Sequence, residues 1–353
     1  MVSARLRMIA CVKKSALVLR QQHQGGYTQA GIARVQRGGS ILRARLPFYK
    51  GAVMANRLSR QRQIDVLRLL LEGNSIRSTS RLTSVHRDTI MRLVVRFGTN
   101  CQALLNERLT GLTLGHVQID EMWTFCQKKQ ARLTLDERAE RHDIGDMFLW
   151  LAIDQETKLV PSHLVGKRSA DNARKLLVDL AGRLVLPSAG SADDHAYEQR
   201  GEYQPVVQIS TDGLAAYPEA VDLAFGPFAR YGVLIKNYRN ASMQYDPSET
   251  VGADRRIIRN IQDAFSICTS HIERFNLSIR TFMKRFARLT LGFSKKLANL
   301  EAATAMQIAA YNFTWRPRRP GNTSRRFPTP AMMAGVTDRL WNFDDLYDAA
   351  MQV

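Results

Sequence analysis

The sequence predicts an α/β protein, a five-stranded mixed sheet with flanking helices, preceded by a small all-helical unit. Three observations carry that reading. Short runs rich in β-branched and aromatic residues recur at Val117 to Phe125, Met147 to Asp154, Leu159 to Val165, Val206 to Ser210 and Gly232 to Lys236. Such runs are the pattern of strands covered on both faces. Helical spacing separates and follows them, at Asp171 to Leu184, at Leu214 to Phe225 and from about His271. Upstream, Asn56 to Phe97 holds three short helical segments and no strand pattern.

Composition narrows the class of partner. Of 353 residues, 45% are apolar and 24% charged, as in soluble globular chains. Lys and Arg outnumber Asp and Glu by 51 to 32, a formal charge of +19 that favours a polyanion, nucleic acid first. The longest apolar run, Met147 to Ile153, is too short to span a bilayer. Cys11, Cys101, Cys126 and Cys268 are scattered with no CxxC pair, so neither a zinc site nor a disulfide framework is indicated, and a reducing cytosol fits.

Residues 1–53 contain no acidic residue, the first being Asp65, and are basic throughout. They read either as a disordered arm on DNA phosphates or as upstream reading frame, with translation starting at Met54; the second reading is preferred. Ser59 then caps a first helix with Ile64, Val66, Leu67, Leu69, Leu70 and Leu71 on its apolar side, and Gly73-Asn74 ends it. Ser75 opens a second helix with Ile76 and Leu82 facing inward, Thr83-Ser84 turns the chain, and a third carries Ile90, Leu93, Val94 and Phe97. A tight turn before the last of three helices is the helix-turn-helix pattern. In that geometry His86, Arg87, Thr89 and Arg92 face the major groove, with Arg77 and Arg81 nearer the phosphates. A plain three-helix bundle with a solvated basic face fits the same spacing. Asn100 to Gly115 reads as a connector, Gln127 to Asp146 as a loop or partly helical insertion, Pro187 to Pro205 as a surface loop and Asn237 to Ala264 as irregular chain.

The chemistry concentrates in a few acids. Asp120 and Glu121 sit inside the first apolar strand, where unpaired carboxylates are costly. Either a buried Arg or Lys pairs with them, or a divalent cation binds at the lip of the sheet. Asp212 ends the fourth strand and Glu273 begins the late helix. In a ribonuclease H-like sheet, one of the α/β folds compatible with this element order, the first and fourth strands are neighbours. Asp120, Asp212 and Glu273 can then converge, and hard oxygen donors suit Mg²⁺ or Mn²⁺. Other roles stay open: Asp212-Gly213 is a turn dipeptide, Ser270 to Glu273 fits a capping box, and Glu121 could face the metal in place of Asp120. Along the late helix Arg280, Lys284 and Arg288 recur every four residues beside Arg285, as a basic stripe or an ordinary solvated face.

Ile119-Asp120-Glu121-Met122-Trp123, Thr211-Asp212-Gly213, Ile272-Glu273-Arg274-Phe275-Asn276-Leu277 and Phe293-Ser294-Lys295-Lys296 together resemble the insertion-sequence-one family of bacterial DDE transposases. Thr157 to Ser162 and Thr329 to Val336 extend the resemblance, which runs from about Met54 to the C-terminal end. Phe275 departs from it, standing where a polar residue is expected. The resemblance implies a helix-turn-helix domain over residues 54–112, a ribonuclease H-like catalytic domain over 113–316 and a C-terminal tail over 317–353. It places the catalytic and metal-binding triad on Asp120, Asp212 and Glu273, with two Mg²⁺ or Mn²⁺ ions. It also implies double-stranded DNA partners (the element's terminal repeats and a target), a homo-oligomeric synaptic complex, and a place at the bacterial nucleoid. A catalytically silent DNA-binding remnant, or a nuclease without strand transfer, would share these motifs.

Overall fold

Three helices lead the part of the chain that the computed structural model describes, residues 57–186, 207–239, 249–287, 290–319 and 321–353. Residues 1–53, the Pro187 to Pro205 loop and Arg288 lie outside the described residues. The helices are α1 (Arg60–Leu71), α2 (Ile76–Thr83) and α3 (Arg87–Arg108). Side chains satisfy their first amides: Ser75 Oγ accepts from the Ser78 N–H at 3.0 Å and His86 Nδ1 from the Asp88 N–H at 3.3 Å. Ser84, at φ +56°, makes the left-handed turn between α2 and α3, and of the two residues expected to face inward from α2, Ile76 packs on the core while Leu82, in the last turn, is exposed. Much of the stretch expected as a connector from Asn100 to Gly115 is helical instead. Cys101, Leu104 and Leu105 continue the buried face begun by Ile90, Val94 and Phe97, so α3 has no reason to stop.

The sheet is mixed and has six strands, in the order β3-β2-β1-β4-β5-β6, where five were expected. β1 (His116–Cys126) pairs antiparallel with β2 (Gly145–Asp154), and β2 with β3 (Ser162–Gly166). β1 pairs parallel with β4 (Val207–Thr211), and β4 with β5 (Ala229–Arg239). The sixth, β6 (Glu249–Arg259), pairs antiparallel with β5 inside the stretch read as irregular. It is an edge strand whose centre runs Asp254-Arg255-Arg256, and an edge facing water shows no apolar run to find.

Helices cover both faces. The short α4 (Leu135–Glu140) follows β1, while α5 (Ala170–Arg183) and α6 (Tyr217–Phe225) pack together on one face. On the other lies α7 (Ser270–Phe282), with α8 (Leu297–Thr314) beside it through Phe275 and Tyr311, ring centroids 4.4 Å apart. α8 buries Leu300, Ala303, Met306, Ile308, Ala309 and Phe313, residues spread around its circumference. It can do so because it is enclosed between α3 and the sheet side of the molecule. At one end, Asn312 exchanges two hydrogen bonds with the Val160 backbone. At the other, Gly98 of α3 meets the backbone of Ala302.

The segment expected as a tail holds a small hairpin, β7 (Arg318–Arg319) with β8 (Asn322–Arg326), then α9 (Pro330–Met333) and α10 (Phe343–Gln352). α10 is built into the helical layer. Its Tyr347 stacks on Phe97 at 5.6 Å, and Arg60 of α1 pairs with Asp344 at 3.2 Å and Asp348 at 2.6 Å. Arg183 at the end of α5 completes the framework from inside. Its guanidinium donates to the Leu105 and Leu109 carbonyls, at 3.2 and 3.4 Å, and to Asn106 Oδ1 at 2.7 Å. A buried cation at the C-terminal end of α3 satisfies carbonyls that have no helical partner. One apolar cluster therefore runs from α1 through α8 into the sheet.

Candidate active site

Unequal strand lengths create the site. β4 pairs with β1 only as far as Gln118 opposite Ser210 and ends at Thr211, while β1 continues to Cys126. Between Gln118 and Cys126, where the backbone bridges to Ser294, no described strand pairs with the β4 side of β1. Asp120 and Glu121 stand at that opening, and Asp212 follows the last residue of β4. Neighbouring residues on a strand point to opposite faces. At an open edge both can still reach round it, and Asp120, Glu121 and Asp212 each bring a carboxylate oxygen within 4.8 Å of the others.

Each acid has its own support. Asp120 faces α7: Asn276 Nδ2 donates to its Oδ2 at 2.7 Å, and the Glu121 amide donates to its Oδ1 at 2.8 Å. Glu121 faces the opposite helices, its side chain only 3% exposed; Arg168 donates to Oε1 at 2.6 Å and the Tyr217 hydroxyl to Oε2 at 2.8 Å. Asp212 Oδ1 accepts from the Leu214 amide at 3.0 Å in a turn. The structure thus unites Asp120 and Asp212, and adds Glu121 as their companion. The carboxylate of Glu273 stands apart from that group, accepting from the Thr269 hydroxyl at 2.5 Å and paired with Lys236.

The electrostatics follow from the crowding. Burial, then the charges of Glu121 and Asp212, push the Asp120 carboxyl up to about 7, with a smaller push from Glu273. Burial and Asp212 also raise Glu121, against the hydrogen bonds from Tyr217 and Arg168. Burial and the same acids hold the Tyr217 hydroxyl well above its ordinary value, so it stays a donor. Three carboxylate oxygens at this spacing are a hard donor set suited to a divalent cation. Asn276, 4% exposed, adds an Oδ1 that is buried beside Asp120 without a hydrogen-bond partner. A cation or its bound water is the group that such an acceptor set lacks.

This crowding predicts a pH dependence in chelating buffer. Folding raises the Asp120 carboxyl from an ordinary 3.8 to about 7, so folding favours its protonated form. The stability it contributes is present below about pH 4 and is lost as pH rises through 7, by roughly 4 kcal/mol at most. Melting temperatures are therefore expected to fall between pH 5 and 8 without metal, and to fall less with Mn²⁺ present. A metal-free melting temperature that climbs across that window would contradict the crowded site.

Other expected residues are placed as follows. Arg77, Arg81, His86, Arg87 and Arg92 are exposed on α2 and the start of α3, and Thr89 is half-buried. The basic stripe does not form as expected, because α7 stops at Phe282. Arg280 lies half-buried in its last turn and Lys284 is exposed beyond it. Arg285 turns inward to donate to Ser294 Oγ at 2.5 Å, and burial lowers its pKa. Gln118 went unread in the sequence, yet it is fully buried and accepts from the His271 and Ile272 amides at 3.0 and 3.1 Å. It fixes the start of α7 to β1 and so sets where Asn276 meets Asp120. A glutamine inside an apolar strand, two residues before Asp120, was its only signal.

No protein-family model matches the chain, and no curated protein does. Among solved structures it is similar to one described as "Mos1 transposase paired-end complex with left transposon end", with 12% identity and a TM-score of 0.16. The match covers 48% of this chain and 58% of that one, less than two thirds of its length. A likeness this loose leaves the chemistry to the residues themselves. No helix among the described residues is long and apolar enough to cross a membrane.

Proposed function

We propose that the chain is a DNA transposase of an insertion sequence, with a ribonuclease H-like catalytic domain over residues 113–316 behind a helix-turn-helix over 54–112. The observation that carries the reading is the meeting of Asp120, Glu121 and Asp212 at an open sheet edge, in a chain of formal charge +19. The motifs around Asp120, Asp212 and Glu273 support it.

Asp120 and Asp212 are the principal metal ligands, and Asn276 holds the Asp120 carboxylate in place. Glu273, whose side chain is 41% exposed, completes the set by exchanging Lys236 for metal. Glu121 is already held by Arg168 and Tyr217, and it positions the strand end. Two Mg²⁺ or Mn²⁺ ions would supply Lewis acidity to a water at the element's end, then to the freed 3′-hydroxyl attacking target DNA. Arg77, Arg81, His86, Arg87, Thr89 and Arg92 grip the terminal repeat, and Lys284 contacts backbone nearer the site. Two ends must be held together, so the working form is a homo-oligomer.

The test is strand transfer with labelled terminal-repeat DNA, a target plasmid and Mg²⁺ or Mn²⁺. Metal-dependent joined product is expected. Cleavage without joining would indicate a nuclease, and tight DNA binding with neither product would leave a DNA-binding remnant. Glu273→Gln is expected to lower joined product roughly a hundredfold, and Glu121→Gln about tenfold, the cost of disturbing a supporting group. The reverse order would make Glu121 the third ligand.

A further inference from the structure

Beside the carboxylates, aromatic rings lie where sheets usually end in polar chain. Trp123 and Phe125 follow Glu121 at alternate positions of β1 and share its face, with Phe148 of β2 paired opposite Trp123. Phe293 extends the row: ring centroids are 5.7 Å apart from Trp123 to Phe125 and 4.7 Å from Phe125 to Phe293. All four side chains are half-buried, and Trp123, Phe125 and Phe293 stand outside the main apolar cluster. Cations border the strip. Lys129 lies 5.6 Å over the Trp123 ring and Arg168 6.0 Å from the Phe148 ring, the latter also bonded to Glu121.

A ring row built only to close the sheet would be covered, and this one stays half-exposed with positive charge at its margin. Nucleobases are flat and apolar on their faces, and in a strand one backbone phosphate accompanies each of them. Stacking on an aromatic side chain needs an unpaired base, because a paired one shows only its edges. A base also gains more from a Trp face than an exposed lysine does, so it displaces Lys129, whose ammonium is then free for the phosphate.

We propose that Trp123, Phe125, Phe148 and Phe293 form a platform for unpaired nucleotides of the DNA whose backbone enters the carboxylate site, with Lys129 and Arg168 on their phosphates. The proposal rests on the reading that this site acts on DNA, and it specifies the substrate further: a frayed end is preferred to a fully paired one.

The experiment uses the full chain in chelating buffer and fluorescence anisotropy with two labelled duplexes of one sequence, one fully paired and one with a few unpaired nucleotides at its end. Wild type is expected to bind the frayed duplex about tenfold more tightly. Trp123→Leu should erase that preference and leave affinity for the paired duplex unchanged, while Trp123→Phe, which keeps a ring, should retain most of it. Phe125→Leu serves as an independent second variant. Equal wild-type affinity for the two duplexes overturns the platform, as does a preference that survives both leucine variants. If paired DNA is bound in chelator and cut in a parallel reaction with Mg²⁺ while the frayed preference is absent, the platform alone falls. If neither duplex is bound, the reading of the site falls with it.

Discussion

Asp212→Asn protein is expected to melt at a higher temperature than wild type in chelating buffer, and to give no detectable joined DNA product in Mg²⁺. The two effects have one origin. Asp212 is among the charges that push the Asp120 carboxyl up to about 7, so neutralising it relieves repulsion that the metal-free fold carries. The gain should be greatest at pH 8, where Asp120 is ionised, and nearly absent at pH 5. The loss of activity is far larger. Metal-assisted stabilisation in phosphoryl transfer is worth several kcal/mol, so losing one of the proposed ligands is expected to cost on the order of 10³ to 10⁴-fold in rate. Melting curves and strand-transfer gels on the same preparation measure both. A variant that loses activity but melts lower in chelator would mean that Asp212 supports the fold and not a charge cluster.

Gly98→Val is the change with the largest expected effect on stability. A Cβ at position 98 would lie 2.0 Å from the Ala302 carbonyl oxygen and 2.7 Å from its Cα, all backbone, so α3 and α8 would have to part. Overpacking a core costs about 1–3 kcal/mol when side chains can yield, and here none can; about 3 kcal/mol or more is expected. In a chain of this length that corresponds to a fall of about 4 °C or more, read by circular dichroism. Gly182→Ala is the control. It also sits in a helix, but its added methyl meets nothing within 4 Å, and it should gain up to about 1 kcal/mol. Equal losses at both positions would show that Gly98 is not at a close helix contact.

The parts of this molecule readable in advance were those with a strong local period. β1, β2 and the order of the first five strands show as apolar runs, and the caps at Ser59 and Ser75 announce α1 and α2. β6 could not be found in this way, because a polar edge strand is recognised only by the partner it pairs with. α8 is buried around its circumference and so has no amphipathic face to read. The end of α7 at Phe282 carries neither Gly nor Pro to mark it, and three of the expected cations lie beyond it. In the site, Asp120 and Asp212 were legible as acids in apolar company. The partners that decide their neighbours' roles were not: Arg168, Tyr217 and Lys236 reach Glu121 and Glu273 across long intervals of chain, and distance in sequence hides them.

The seat of α3 on α8 at Gly98 also has a mechanical meaning. A joint that has no room for one methyl group cannot serve as a swivel, and Arg183 and α10 hold the same helix from two further sides. The helices that would grip DNA and the acids that would cut it then travel as one body. On the proposed function such a body would work as a fixed calliper. The interval along the duplex between the gripped sequence and the broken bond would be set by protein dimensions, and an inserted base pair would swing that bond out of reach around the DNA axis.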